Sequence, residues 1–311
     1  MENRERKYVR ILKEICDEEG ILLDSFSYDW AFRMRKDGKT AFILGYQFGL
    51  NLSSVQQICR DKNITSEILR AEGIPCVYHS FHMSPSLQNS TGTDGNWKEL
   101  LSLLEKYGKL VVKDNYGTGG NQVYLVSCPK ELEAASAEIF RVSQGMAVCP
   151  YEEIEKECRM VLLDGEIKLA FSKIRLSVTG DGVSSFGSLL AGLMSKGCGG
   201  GYVIPSEREL KKVLLKGEKR YLNWKHNLGQ GAVSNEIALE DLPGELIMLA
   251  EKVNNALQLR FASVDVIFSD GSWKVLEVNS RVMMEHFAGE CPEHYKKAKE
   301  IYREAVLRMF L

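Results

Sequence analysis

Lys113 ends a run of apolar residues in LVVKDNYGTGGNQVYLV and is followed by Gly117, Gly119 and Gly120. Glycines at that spacing let backbone N–H groups turn toward an anion, and a lysine beside them can neutralise phosphate. A glycine-rich hairpin turn accounts for the same residues nearly as well. Neither a Walker pattern nor a strand-to-helix G-x-G-x-x-G is present, so the flanking strands point to a flap over a nucleotide.

A second group lies in VDVIFSDGSWKVLEVNS. Alternate residues of a strand share a face, so Glu277 and Asn279 point the same way, opposite to Leu276 and Val278. Asp265 joins them if the spacer between the paired strands holds an odd number of residues, such as Asp270 to Ser272. A two-residue turn would separate them. Three oxygen donors suit Mg²⁺, which takes few protein ligands and leaves the rest to phosphate and water. The alternative is a solvated polar face, against which stands the apolar context of Val264, Val266, Leu276 and Val278.

Acids and bases of lower specificity fall between these two segments. Glu152, Glu153 and Glu157 follow a predicted strand, where a carboxylate can accept hydrogen bonds from ribose hydroxyls; a solvated charge run is the commoner meaning of such a pattern. Arg159, Lys173 and Arg175 lie on a predicted hairpin, with Lys225, His226 and Asn227 beyond it. Lys173 and Arg175, two apart, share a face in a strand and can clamp a phosphoryl group, or simply mark a charged sheet edge. His226 is a proton carrier or a polar loop residue. His79, His82, His286 and His294 show no metal-ligand spacing, which argues against zinc.

The elements that would position these residues can be read from periodicity. Tyr8, Ile11, Leu12, Ile15 and Cys16 repeat at helical spacing before Gly20. Residues 40 to 60 yield no motif. In DKNITSEILRAEGIP, Asn63 or Thr65 can cap a helix that stops at Gly73. Residues 81 to 96, rich in Ser, Thr, Gly and Asn, read as an exposed loop separating subdomains. Trp97 to Tyr107 form a helix, 109–113 and 122–126 the strands around the glycine loop, and Pro129 opens the next helix. Hairpins are expected around Asp164-Gly165 and Asp270-Gly271, helices after Pro243 and Pro292, and loops with short helices over 176–235. The result is an α/β (α+β) chain with antiparallel sheets. We divide it into an N-terminal region (1–95), a small subdomain (96–175) and a large subdomain (176–311).

Composition narrows the function classes. Forty basic and forty-two acidic residues among 311 give a net charge of −2, which marks neither a nucleic-acid binder nor a membrane-surface protein. Eight cysteines without a C-x-x-C pair read as reduced thiols. The first residues, MENRERKYVRILKEICDEEG, lack the form of a secretory signal, and no run reaches the roughly 18 apolar residues of a membrane span. A cytoplasmic protein acting on small molecules is expected.

Taken in order, the lysine and glycine flap at Lys113, the acids before Arg159, the segment at Asn227 and the D…E-x-N set ending at Asn279 resemble the ATP-grasp superfamily. DKNITSEILRAEGIP, TGDGVSSFGSLL and GEKRYLNWKHNL look like the ATP-grasp domains of cyanophycin synthetase and bifunctional glutathione synthetase, then RimK-type amino-acid ligases, over roughly residues 30 to 290. The resemblance implies nucleotide clamped between two antiparallel sheet subdomains. Lys113 and the loop through Gly120 would serve the phosphates, Glu152 and Glu153 the adenine hinge, and Glu157 the ribose. Asp265, Glu277 and Asn279 would hold magnesium or manganese. Lys173, Arg175 and Asn227 would lie near the transferred phosphate.

The chain departs from these relatives at EVNSRVMMEHF. Arg281 replaces a small residue and can bind a substrate carboxylate or an acyl phosphate, while Met283, Met284 and His286 would shape an altered pocket. NLGQGA also replaces the usual glycine-ending segment, and Asn223 stands where an arginine is common, with Lys225 a substitute charge. The resemblance implies an ADP-forming ligase joining a small-molecule carboxylate and amine through an acyl phosphate, one partner being an amino acid or short peptide. A kinase acting on a hydroxyl, or an ATP-binding regulator without turnover, are the rival expectations. Relatives often form homo-oligomers.

Overall fold

The apolar stripe from Tyr8 to Cys16 becomes α1 (Lys7–Glu19) in the computed structural model, which describes residues 5–93, 96–195 and 205–311. Gly20 ends it in the left-handed conformation, its N–H on the Cys16 carbonyl. The stretch without a motif is an antiparallel meander: β1 (Leu22–Phe26), β2 (Ala31–Lys36), β3 (Lys39–Leu44) and β4 (Gln47–Phe48). Phe32, Met34, Ala41 and Ile43 face inward, and Asp37-Gly38, both left-handed, make the β2–β3 turn. That dipeptide was the available hairpin signal.

Next come α2 (Ser53–Arg60) and α3 (Lys62–Ala71). The cap of α3 is Asp61, whose carboxylate accepts the Ile64 N–H at 2.9 Å, and neither Asn63 nor Thr65 takes that part. They lie two and four residues past the cap, inside the helix, and are buried, with Thr65 Oγ1 donating to the Ile58 carbonyl. The expected loop at 81–96 instead holds β5 (Ser80–Met83) and α4 (Pro85–Thr91). Ser84 caps α4 and Pro85 occupies its first turn, a helix start outweighing the polar composition. Then α5 (Trp97–Tyr107), β6 (Leu110–Asp114), β7 (Val123–Val126), α6 (Pro129–Phe140) and β8 (Gly145–Pro150) follow the sequence reading.

The first hairpin is β9 (Lys156–Leu163) and β10 (Glu166–Ile174), turning at Asp164-Gly165. Beyond it run β11 (Ser177–Thr179), α7 (Phe186–Met194), α8 (Glu207–Leu210), β12 (Lys219–Tyr221) and β13 (Val233–Ile237). The described chain closes with α9 (Gly244–Leu257), the hairpin β14 (Phe261–Ser269) and β15 (Ser272–Asn279), and α10 (Pro292–Arg308).

Two units emerge, one comprising residues up to Gly117, Gln122–Ala170 and Ile237–Leu311, the other Thr118–Asn121 and Phe171–Glu236. In the first, β10, β9, β14 and β15 lie side by side. Met160, Leu162, Val264, Val266 and Val278 of that sheet pack on α2, α3 and α9. A second sheet, β5-β8-β6-β7, packs Leu110, Val112, Met146 and Val148 against Leu100, Leu104, Leu132 and Ile139 of α5 and α6. The second unit pairs β11 with β12 around Val178, Phe186, Leu190, Leu214 and Leu222. Every strand ladder described is antiparallel, as expected.

Asn51 fastens the meander region to β14. Its amide donates to the Phe261 carbonyl and its carbonyl accepts the N–H groups of Arg260 and Phe261, the two bonds to Phe261 buried and the one to Arg260 partly so. Replacing it with Ala leaves backbone groups without partners, so Asn51→Ala should lose about 3 kcal/mol of stability, read from the urea unfolding midpoint. An unchanged midpoint would show that water replaces the amide at no cost.

Candidate functional site

The β14–β15 hairpin has the two-residue turn that should have separated Asp265 from Glu277: Ser269 pairs with Ser272, and Asp270 and Gly271 are both left-handed. A register shift between Asp265 and Val266 undoes that separation. It sets Asp265 opposite Glu277 and Ser263 opposite Asn279. Leu276 is the additional residue on β15, so a bulge supplies the odd count that the turn does not. Asn279 Nδ2 donates to Glu277 Oε1 at 3.2 Å.

On the other side of β14, Asp265 faces Arg159 of β9. Two short hydrogen bonds join them, Nε to Oδ1 at 2.7 Å and Nη2 to Oδ2 at 2.6 Å, with Asp265 wholly buried. Burial opposes the Arg159 charge, but Asp265, with Glu277 and Glu157 further off, outweighs it and holds the guanidinium more firmly protonated than usual. Glu157 lies two residues before Arg159 on β9, sharing its face, and is itself buried.

Across the same unit, Lys113 on β6 pairs with Ala147 of β8 and is nearly buried. A second lysine joins it. Lys62, at the start of α3, donates to the Asn115 carbonyl at 3.2 Å and the Gly117 carbonyl at 2.7 Å. Burial pulls its pKa down to about 8; Lys113 adds to that effect, whereas Glu277 opposes it. Two ammonium groups and the Glu277 carboxylate thus share one neighbourhood. Lys62 was absent from the sequence-derived set because it reads as a first-turn helix residue. The Asp61-Lys62 pair beginning a helix was the only signal.

In the glycine loop, Gly119 and Gly120 have φ of 70° and 73°, where a side chain would be strained. Gly117 does not, and its N–H turns back to the Asp114 carbonyl while the Tyr116 N–H is taken by the Asp114 carboxylate. Of the acids near 152–157, Glu152 accepts from Ser269 Oγ at 2.8 Å and Lys274 Nζ at 2.9 Å, and Glu153 is exposed. Arg281 is exposed, its Nε donating to Gln47 Oε1 at 3.3 Å. Its neighbours are structural: Tyr302 bonds the Val282 carbonyl and the Met284 N–H, and Glu285 accepts the Lys7 and Tyr8 N–H groups. Met284 is therefore turned inward, while Met283 and His286 are exposed.

The second unit holds its own basic cluster. Lys173 is buried in β10, and its carbonyl accepts the His226 Nδ1–H at 3.1 Å. Arg175 does not share the strand face with it, because β10 ends at Ile174; its guanidinium lies 3.9 Å from the Tyr221 ring centroid. Burial, together with Arg175 and Lys173, pushes His226 down to about 4, so it stays neutral near pH 7. Asn227 Oδ1 accepts the Gly229 N–H at 2.7 Å. A Cβ on Gly120 would lie 2.4 Å from Asn227 Nδ2, and the Gly120 carbonyl accepts from Lys225 at 3.3 Å and Gln230 at 3.2 Å.

The antiparallel sheets superpose on those of solved ATP-grasp structures, and the chain has the ATP-grasp fold. Residues 215–294 match the RimK-like ATP-grasp domain. Over 97% of its length the chain superposes on a bifunctional glutathione synthetase from Pasteurella multocida (TM-score 0.59, 16% identity), spanning 44% of that protein. It also superposes on a D-alanine–D-alanine ligase from Bacillus anthracis (TM-score 0.51, 21% identity, 81% of this chain and 68% of that one). In sequence, 58 residues are 45% identical to tetrahydromethanopterin:alpha-L-glutamate ligase of Methanocaldococcus jannaschii, 19% of either chain. The chain thus spans less than half of the synthetase, and the curated match covers about a fifth of that ligase.

Removing Arg159 takes the ion-pair partner away from the buried Asp265 carboxylate. Arg159→Met should cost about 3–5 kcal/mol in chemical denaturation, the range for breaking one side of a buried ion pair. Arg159→Met/Asp265→Leu should recover much of it; a double variant no more stable than the single would contradict the ion-pair account.

Proposed function

We propose that this protein is an ADP-forming carboxylate–amine ligase that uses ATP and joins an amino acid or short peptide through an acyl phosphate. The observation that carries the reading is the gathering, within one unit, of Lys62, Lys113 and Glu277, with Asp265 and Asn279 on the same ladder. Lys62 and Lys113 would neutralise the nucleotide phosphates. Glu277, Asn279 and Asp265 are oxygen donors of the kind Mg²⁺ takes, and Asp265 is ion-paired with Arg159, so the set fits that ion. When bound, it would supply charge stabilisation on phosphate oxygens.

The substrate carboxylate oxygen would attack the γ-phosphorus in line, breaking the bond to ADP and leaving the acyl phosphate. The amine nitrogen would then form the amide bond, losing a proton to solvent while phosphate departs. The chain's own residues bind and orient, and the reaction requires no protein nucleophile. Arg281, exposed beside Gln47, is the group we assign to a substrate carboxylate. The cluster of Lys173, Arg175 and Asn227 is proposed to bind an anion within its own unit.

The test is incubation with MgATP and pools of amino acids and small carboxylates, following phosphate and new masses, with Glu277→Ala as the control. A condensed product with ADP and phosphate, absent from the variant, is expected. Phosphate transfer to a hydroxyl would replace the ligase reading by a kinase, and binding without product by a regulator. The depressed Lys62 pKa adds a pH prediction. Below about 8 the ammonium is charged and binds phosphate, and above it the amine is neutral. MgATP affinity should therefore fall as pH rises through about 8, and Lys62→Met should bind more weakly and lose that step in calorimetric titration.

A further inference from the structure

His79 is buried in the first unit, just ahead of β5. The backbone around it is tied to two other elements. Val275 of β15 donates its N–H to the Pro75 carbonyl and accepts the Val77 N–H. The His79 N–H donates to Ser66 Oγ on α3, and that hydroxyl donates to the Val77 carbonyl. Ser66 lies one helical turn from Lys62, so both occupy the same side of α3. In β5, Ser80 and His82 pair with Val148 and Met146, which face the helices; alternation turns Phe81 the other way, with Ala147 and Lys113, and His79 continues that face. Lys62, Lys113 and His79 are thus brought to one side of the second sheet.

The ring chemistry is settled by its one hydrogen bond. Nδ1 lies 3.0 Å from the Val77 carbonyl, which only accepts, so Nδ1 carries the hydrogen and Nε2 presents a lone pair. Nε2 is buried and has no hydrogen-bond partner among the described residues. Burial first, then the Lys113 and Lys62 charges, hold His79 well below the ordinary histidine range, so it is neutral. The two lysines have charged neighbours of their own, Glu277, Asp114 and Asp61 acting on Lys62, while Lys113 also acts on the buried Cys149 thiol. A buried acceptor lone pair beside two ammonium groups has one natural use, to receive an ammonium N–H.

We propose that His79 is a positioning residue whose Nε2, unpaired among the described residues, takes a hydrogen bond from the Lys62–Lys113 ammonium pair when either lysine turns toward it, and so aims the pair at bound phosphate. The phosphate part rests on the nucleotide reading above; the hydrogen bond to lysine does not. An acceptor without charge suits this place, since a carboxylate would neutralise the lysines that the phosphate needs. It also favours the charged form of its partner, offsetting part of the repulsion between two cations.

The experiment compares wild type, His79→Leu and His79→Gln, the latter keeping an acceptor near the Nε2 position. In ligand-free protein labelled with ¹⁵N-lysine, NMR titration should show the Lys62 or Lys113 pKa lower in His79→Leu and restored toward wild type in His79→Gln. Calorimetry with MgATP should show affinity weakened on the order of tenfold in the leucine variant, its loss with rising pH beginning earlier, and largely recovered in the glutamine variant. Unchanged lysine titrations in a folded His79→Leu protein, whatever its melting temperature, would overturn the proposal and leave His79 a packing residue. Lysine titrations that shift while wild type fails to bind MgATP would sink the nucleotide reading and keep the hydrogen bond. Should the leucine variant not fold, His79→Asn, too short to present an acceptor at the Nε2 position, must reproduce the lowered lysine pKa, and wild-type titrations there would reject the idea.

Discussion

The buried pair of Arg159 and Asp265 is the constraint on which the first unit's site depends. A carboxylate with no exposure to water in the middle of a sheet is tolerable only beside an opposite charge, and Arg159 delivers two hydrogen bonds across the neighbouring strand. That requirement fixes β9 against β14 in one register, because a slip of one residue would turn Arg159 to the opposite face. The bulge at Leu276 does the equivalent on the other side, bringing Glu277 and Asn279 alongside. Three strands are thereby locked by polar groups, while their opposite faces follow the ordinary rule of apolar burial against α2, α3 and α9.

The second sheet shows the same division of labour between its faces. Leu110, Val112, Met146 and Val148 pack on helices, and the face that holds Lys113 and Ala147 carries the chemistry. Lys62 is not on a sheet; it enters from the first turn of α3, where Asp61 caps the helix and its ammonium is tied to the carbonyls of Asn115 and Gly117. Those carbonyls belong to the entry of the glycine loop. The lysine is therefore both a positive charge and a brace for the loop's backbone.

Much of this was legible in the sequence, for reasons that can be named. Asp164-Gly165 and Asp270-Gly271 announce their hairpins because two consecutive left-handed residues suit Asp followed by Gly. The E-x-N spacing puts two donors on one face because strands alternate. What escaped was whatever depended on partners distant in sequence. Parity along β14–β15 could be computed only for a regular ladder, and a bulge is invisible in composition. Ser84-Pro85 was outweighed by the polar residues around it, though the cap and the proline were both present. His79 carries no local signature, and Lys62 only its place directly after the capping Asp61. Their meaning comes from the fold bringing them beside Lys113, and from the cost of burying an ammonium group or an imidazole there.

The N-terminal helix has a further consequence, for the order in which the protein can be made. Glu285 accepts the first N–H groups of α1, Tyr302 packs edge-on against Tyr8 and stacks on Phe48, and Asn51 is bonded to Phe261. None of those partners exists when α1 and the meander leave the ribosome. At roughly 5–20 residues per second, the interval between Tyr8 and Tyr302 lasts on the order of 15–60 s. Through that time Tyr8, Phe32, Phe48 and Ile43, all buried in the finished protein, lack their final cover. Residues 7 to 51 are then the stretch most in need of a chaperone, and the one whose completion reports that α10 has been made.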